Sequence, residues 1–376
     1  MRVAWVAVLA AVAAVPSYAH GTPIPRFVFV DGSERLAERI DCPDRESRPG
    51  FAIAVLHGDE VLLREDCGLA DLERREPIGP ETRFYVGQIG KTFTAAAVLR
   101  LYEKRQLGLD DPLARHFPEL PAWAQRVRVM HLLNHTSGVP DPPDTPGPRS
   151  ADRLDNARVM GFLRRQSELS FEPGSGFSPS DSAYVLLAEL VERVTGTPFA
   201  EHLKREIFLP LGLEHTSVFD ESEPEIPDRA VGYRGNKRGF VVDDYRGAAT
   251  GAGGIFTTVD DLLRWHRALI EHRLLEPRTT AMMFDMPLTL TGRQSGMGMG
   301  WSDETVDSRR PRYEGLRAFG AIDTLGGFAA SLTFYPDEEL TIVLLANTGE
   351  LPDFLADSYS EFLIRVPTRP RQRSTE

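Results

Sequence analysis

The chain has 376 residues, enough for one large domain or two modest ones with a sizeable core. Hydrophobic residues make up 41% and charged residues 26%, ordinary values for a soluble globular protein. The formal net charge, 43 − 55 = −12, argues against a dedicated nucleic-acid binder.

The first nineteen residues read as a targeting segment. Arg2 supplies a short positive region, Val3 to Val15 form a continuous apolar run, and Ser17-Tyr18-Ala19 has the small-x-small pattern of a cleavage site. The competing reading is an uncleaved N-terminal anchor. Residues 1–19 are therefore expected to be a signal peptide, with export to the periplasm or medium and no stable membrane span after cleavage. No cysteine follows the run to carry a lipid. Cys42 and Cys67 are the only cysteines; in an exported chain they form either one disulfide or two buried thiols.

Pro49-Gly50 opens the first folded stretch. Phe51–Leu56 and Val61–Cys67 read as strands of a hairpin about His57-Gly58-Asp59, and a turn region follows at 77–80. From Thr92 the apolar spacing becomes helical, with Phe93, Ala96, Ala97 and Leu101 on one face and Gly108 as the stop. Val127–Leu133 leads into a short helix ending at Asn134-His135-Thr136-Ser137-Gly138. Pro140–Ser150 holds five prolines and is an exposed connection rather than helix or central strand. Asp181–Thr195 is a helix with Tyr184, Leu187, Val191 and Val194 on one face and Gly196 as its cap. Thr258–Ile270 is another, with Asp260 and Asp261 in the first turn, where the helix dipole favours them. Phe328–Tyr335 and Leu340–Leu345 are strands joined through Pro336-Asp337-Glu338-Glu339. Phe354–Ile364 reads as a closing helix, and residues 366–376 as a disordered tail.

Strands at both ends with helices between them imply an α+β fold: one sheet-containing α/β domain from residues 28–85 plus 250–365, and a mainly helical domain over 86–249 inserted between its halves. The glycine cluster Thr250–Ile255 follows no strand-GxGxxG-helix pattern, so nucleotide binding is not expected. His215, His266 and His272 lack metal-ligand spacing with acidic partners. No cofactor or metal is expected. Trp265, on a helical apolar face, is expected to pack in the core.

A series of segments then carries a resemblance. PGFAIAV (49–55), the Lys91 helix, LLNHTSGVP (132–140), PGSGFSPSDSAYVLLAELVERVTGTPF (173–199), LPLGLEHTS (209–217), GAGGIFTTVDDLLRW (251–265) and GGFAASLTFYPDEELTIVLLAN (326–347) together resemble the serine beta-lactamase and penicillin-binding protein superfamily. The similarity is to the branch of class C beta-lactamases, D-alanyl-D-alanine carboxypeptidases and related esterases. The resemblance implies a beta-lactamase/transpeptidase-like fold, an antiparallel sheet flanked by terminal helices with a helical domain inserted. It also implies three clusters on one cleft: a serine three residues before a lysine at a helix start, a tyrosine-x-asparagine pair, and a histidine or lysine two residues before a glycine on a cleft-lining strand.

The family positions map onto altered residues. Gln88 stands where the serine would be, three residues before Lys91. An amide nitrogen delocalised into its carbonyl is a poor nucleophile and cannot form an acyl ester. Pro179 takes the tyrosine position and has no proton to pass; Asp181 replaces the asparagine. Ala321 and Asp323 fall where the histidine and glycine would be. The expectation is a noncatalytic homologue whose cleft is kept for a small molecule or peptide, or for shape. One rival is a rebuilt hydrolase of amides or esters, using Lys91 with Asp181 and Asp323, or Ser178 or Ser180 as a substitute hydroxyl. Another is an interaction protein using its outer surface. The plainest role for Lys91 and Asp181 is a structural salt bridge. His135 and Ser137 in the NHTSG turn are expected to make satisfied turn hydrogen bonds. Oligomeric state is not readable from the sequence.

Overall fold

The structure is a computed structural model that describes residues 42, 46–143, 154–219, 225–245, 249–292, 294–303 and 317–349. The signal segment 1–19, most of the proline-rich stretch, the closing helix at 354–364 and the tail at 366–376 lie outside the described residues.

Strands β1 (Phe51–His57), β2 (Glu60–Cys67), β3 (Ser302–Asp303), β4 (Phe319–Leu325), β5 (Phe328–Tyr335) and β6 (Leu340–Ala346) form one antiparallel sheet in the order β3-β4-β5-β6-β1-β2. Three of the pairs, β1-β2, β4-β5 and β5-β6, are joined by short connections at 58–59, 326–327 and 336–339. The last strand, β6, returns to lie beside the first, with Phe51 opposite Ala346 and His57 opposite Leu340.

Period-two alternation divides each central strand between two cores. Ala52, Ala54, Ala330, Val343 and Leu345 face the main helical core. Phe51, Ile53, Val55, Ile342 and Leu344 belong to a second cluster on the opposite face. Both faces are therefore buried, which explains why these strands read as near-continuous apolar runs. Fully burying a Val, Leu or Ile side chain stabilises by about 1.5–3 kcal/mol. Cys42 and Cys67 are joined in a disulfide that ties the segment before β1 to the end of β2, closing a loop of sequence separation 25.

Four helices position the candidate site: α1 (Gly90–Glu103), α2 (Val129–Leu133), α3 (Asp181–Thr195) and α4 (Val259–Ile270). The Ser180 hydroxyl caps α3 by accepting from the Ala183 N–H at 3.1 Å, and Gly196 ends it at φ 68°. Thr258 caps α4 in the same way through the Asp261 N–H. Trp265 on α4 is buried, stacks on Phe93 of α1 at 4.2 Å and donates its indole N–H to Thr92 Oγ at 3.1 Å.

Two local expectations change. Helix α1 ends at Glu103 and not at Gly108; the turn is made by Arg105 in the left-handed region at φ 57°. Nor is α1 amphipathic: every residue from Gly90 to Leu99 is buried, because the helix runs through the core with no solvent face until Arg100. No helix among the described residues is long and apolar enough to cross a membrane.

Candidate functional site

The site forms where the start of α1, the start of α3 and strand β4 meet. A short 3-10 turn, Gly87–Ile89, feeds directly into α1, so Gln88 and Lys91 lie one turn apart. Lys91 is buried, only 2% exposed. Its ammonium pairs with Asp181 Oδ1 at 2.8 Å, donates to Gln88 Oε1 at 3.3 Å, and lies 5.6 Å from the centre of the Tyr184 ring. Asp181 opens α3 and is 63% exposed, so water still solvates its far side. The pair keeps a buried cation from standing alone, an arrangement that costs several kcal/mol if the partner is removed.

Strand β4 brings Asp323 to the same place. Its Oδ2 accepts the backbone N–H of Gln88 at 2.8 Å. Gly87, at φ 48°, permits this contact, since a Cβ there would overlap the Asp323 carboxylate. Burial raises the Asp323 carboxyl above the usual range, with the Gln88 N–H and the Lys91 charge pulling the other way. Ala321, two residues earlier on β4, is buried and offers no proton-transfer group.

The sequence had not pointed to two tyrosines here. Tyr85 and Tyr245 meet edge to face at 5.2 Å. Burial pushes the phenol pKa of each upward, and the nearby Asp181 and Asp323 charges push in the same direction. Both therefore stay protonated at neutral pH, as hydrogen-bond donors rather than nucleophiles. Gly253 makes room for the Tyr85 hydroxyl, which a Cβ at that position would approach to 2.5 Å. Close backbone approach is thus one use of the glycine cluster.

Among the described residues the Lys91 ammonium bonds Gln88 and Asp181, and the two candidate hydroxyls are placed otherwise. Ser180 is buried and engaged in capping α3, and its hydroxyl also bonds Asp141 Oδ1 at 3.1 Å. Ser178 is exposed, with its N–H on the His135 carbonyl at 3.1 Å. Pro179 lies exposed between them. Asp141, the second residue of the proline-rich stretch, was missed altogether. It accepts from the Ser182 N–H at 2.7 Å and the Asp181 N–H at 3.3 Å, satisfying donors at the α3 N-terminus. That stretch is thus more than a plain surface connection at its start.

His135 corrects another expectation. It sits in the left-handed region at φ 57°, and its Nδ1 accepts the Ser180 N–H at 3.1 Å, but its buried Nε2 has no hydrogen-bond partner among the described residues. Burial, reinforced by the Lys91 charge, pushes its pKa down to about 3. Ser137 accepts the Val139 N–H at 3.2 Å as a turn residue. Among the described residues, no group of three or more His, Cys, Asp or Glu side chains is placed to hold a metal ion.

Comparison with known proteins agrees with this architecture. Residues 36–365 match the family model described as Beta-lactamase. A penicillin-binding protein of Bacillus subtilis (strain 168) is 27% identical over 79% of this chain and 68% of its own. A D-aminopeptidase of Gluconobacter oxydans (strain 621H) is 29% identical over 92% of this chain, but the match spans only 64% of that longer enzyme. Among solved structures, an octameric penicillin-binding protein homologue from Pyrococcus abyssi superposes with a TM-score of 0.71 at 26% identity, covering 88% of this chain and 75% of the other. With the match extending over most of its length, the chain belongs to the beta-lactamase family, within the beta-lactamase/transpeptidase-like serine hydrolase superfamily.

Proposed function

We propose that the chain is a noncatalytic member of this family, exported from the cell, whose cleft is kept for binding rather than for acyl transfer. The observation that carries this reading is the Gln88 amide at the position where covalent attack would begin. Its Oε1 accepts from Lys91 at 3.3 Å, and Asp181 takes the same ammonium at 2.8 Å. The lysine that would draw a proton from a nucleophile is instead fixed as half of an ion pair. Pro179 and Ala321 stand where the resemblance leads one to expect a tyrosine and a histidine or lysine for proton transfer. Losing a covalent nucleophile removes the pathway itself, not merely a factor in its rate.

The apolar Val3–Val15 run before Ser17-Tyr18-Ala19 and the Cys42–Cys67 disulfide support export. The names of the relatives, penicillin-binding protein and D-aminopeptidase, suggest β-lactams and D-aminoacyl compounds as the probes for residual turnover.

Turnover of a chromogenic β-lactam and of a D-aminoacyl p-nitroanilide, by the native chain and by Gln88→Ser, tests the reading. The native chain is expected to give no hydrolysis above buffer. Gln88→Ser is expected to restore little, since a lone hydroxyl beside a neutralised lysine has no relay at Pro179 or Ala321. Hydrolysis by the native chain, or strong rescue by the serine, contradicts the proposal.

A further inference from the structure

We propose that Asp323 is a built-in occupant of this cleft: its carboxylate holds the Gln88 N–H, and so makes the native cleft reject ligands that would place an acyl or carboxylate oxygen on that donor. The inference rests on the binding reading above and deepens it by fixing what the cleft excludes.

The N–H groups that open a helix have no acceptor within it and must find one outside. In acyl-transfer sites the backbone N–H groups beside the attacking atom receive the oxygen on which negative charge develops. Gln88 stands where the attacking atom would be, so its own N–H is such a donor. That donor is filled by Asp323 Oδ2 at 2.8 Å.

The filling is matched on both sides. Gly87 has no side chain to obstruct the carboxylate, and Asp323 replaces the glycine that the resemblance leads one to expect on this strand. The cation that would attract an anionic ligand is also taken, because Lys91 is paired with Asp181 at 2.8 Å. An incoming carboxylate would therefore meet an occupied donor, a neutralised lysine and the charge of Asp323 itself.

Equilibrium binding of benzylpenicillin, a carbonyl-rich carboxylate, to the native chain, Asp323→Gly, Asp323→Ala and Asp323→Asn tests this. The glycine and alanine variants are expected to bind about tenfold or more tightly than the native chain, the worth of one good hydrogen bond to an anionic oxygen. The asparagine variant keeps an oxygen for the Gln88 N–H and is expected to stay as weak as native. Amide hydrogen exchange gives a second readout that does not depend on the ligand: the Gln88 N–H should be protected in the native and asparagine proteins and exposed in the other two.

Equal affinities in folded variants overturn the inference. So does an asparagine variant that gains as much as glycine, which would make charge alone the cause. Intact mass of the same mixtures separates the two claims. A covalent adduct on the native chain counts against the noncatalytic reading, whereas unmodified protein with unchanged affinities counts against Asp323.

Discussion

Asn347→Ala is expected to lower the free energy of unfolding by roughly 3–5 kcal/mol, the largest loss from any single polar side chain described here. Asn347 is fully buried at the end of β6. Its Oδ1 accepts the Gly50 N–H at 2.7 Å, and its Nδ2 faces the carbonyls of Leu69, Ala70 and Val231 at 3.0, 3.2 and 3.0 Å. One amide thus joins the residue before β1, the short strand Leu69–Asp71 and Val231, which lies after helix α3 in sequence. Truncation strands the buried Gly50 donor and takes a donor from the carbonyls of Leu69 and Val231, while Ala70 keeps the Val231 N–H at 2.8 Å; each stranded buried group costs about 1–3 kcal/mol. Asn347→Asp is expected to cost at least as much, since it keeps the acceptor for Gly50 but sets an anion against three carbonyl oxygens. Urea unfolding with the disulfide intact measures both. A loss below about 1 kcal/mol for the alanine variant would mean that water or a rearranged loop replaces the amide.

Stability is expected to fall steeply as the pH drops below about 6.5, the ordinary histidine value. Burial pushes the pKa of His135 and of His266 down to about 3 in the folded chain. Between these limits the unfolded chain binds more protons than the folded one, so unfolding becomes easier as pH falls; the stabilisation is complete above the unfolded value and is lost below it. The slope is about 1.4 kcal/mol per pH unit for each histidine. His131 and His202, also lowered chiefly by burial, act in the same direction. Asp323, Glu189 and Asp261, raised chiefly by burial, oppose the trend near the acidic end. Glu119, held down to about 2 chiefly by its hydrogen bond from Arg193, joins the loss as the pH falls from the ordinary carboxylate value toward about 2. Urea midpoints measured at pH 7.5, 6.0 and 5.0 should fall progressively. Replacing His266, whose Nε2 has no partner among the described residues and whose Nδ1 lies 3.3 Å from Thr341 Oγ1, by glutamine should flatten the slope. An unchanged slope in that variant would contradict this assignment.

Much of the fold could be read from the chain because local signals and packing agree. Helix α3 begins after a serine cap and ends at a glycine with φ 68°, so its bounds followed from residue type alone. The β5 and β6 strands were legible as apolar runs around a proline-containing turn. Helix α1 was harder, since a helix buried on all sides loses the periodicity that marks a surface helix, and a left-handed Arg105 gives no sequence signal for its end. Asn347 was invisible because its carbonyl partners lie 278, 277 and 116 residues away.

The site divides in the same way. Gln88, Lys91, Asp181 and Asp323 were found by resemblance, and the structure brings them together. Of the two serines beside the tyrosine position, Ser178 is exposed and Ser180 caps α3. Tyr85, Tyr245 and Asp141 carried no motif, and only tertiary packing shows their relation to the cleft. The Asp323 contact with a backbone N–H could not have been read from residue type, because the donor belongs to the main chain of a turn more than two hundred residues away.

Intact-mass measurement of the native chain after incubation with excess benzylpenicillin tests the central claim most directly. With an amide at the position of attack and the Lys91 ammonium held by Asp181, the mass is expected to be that of the unmodified protein. A stoichiometric increase equal to the mass of the probe, abolished by Ser178→Ala or Ser180→Ala, would show that the cleft still acylates and would contradict the account.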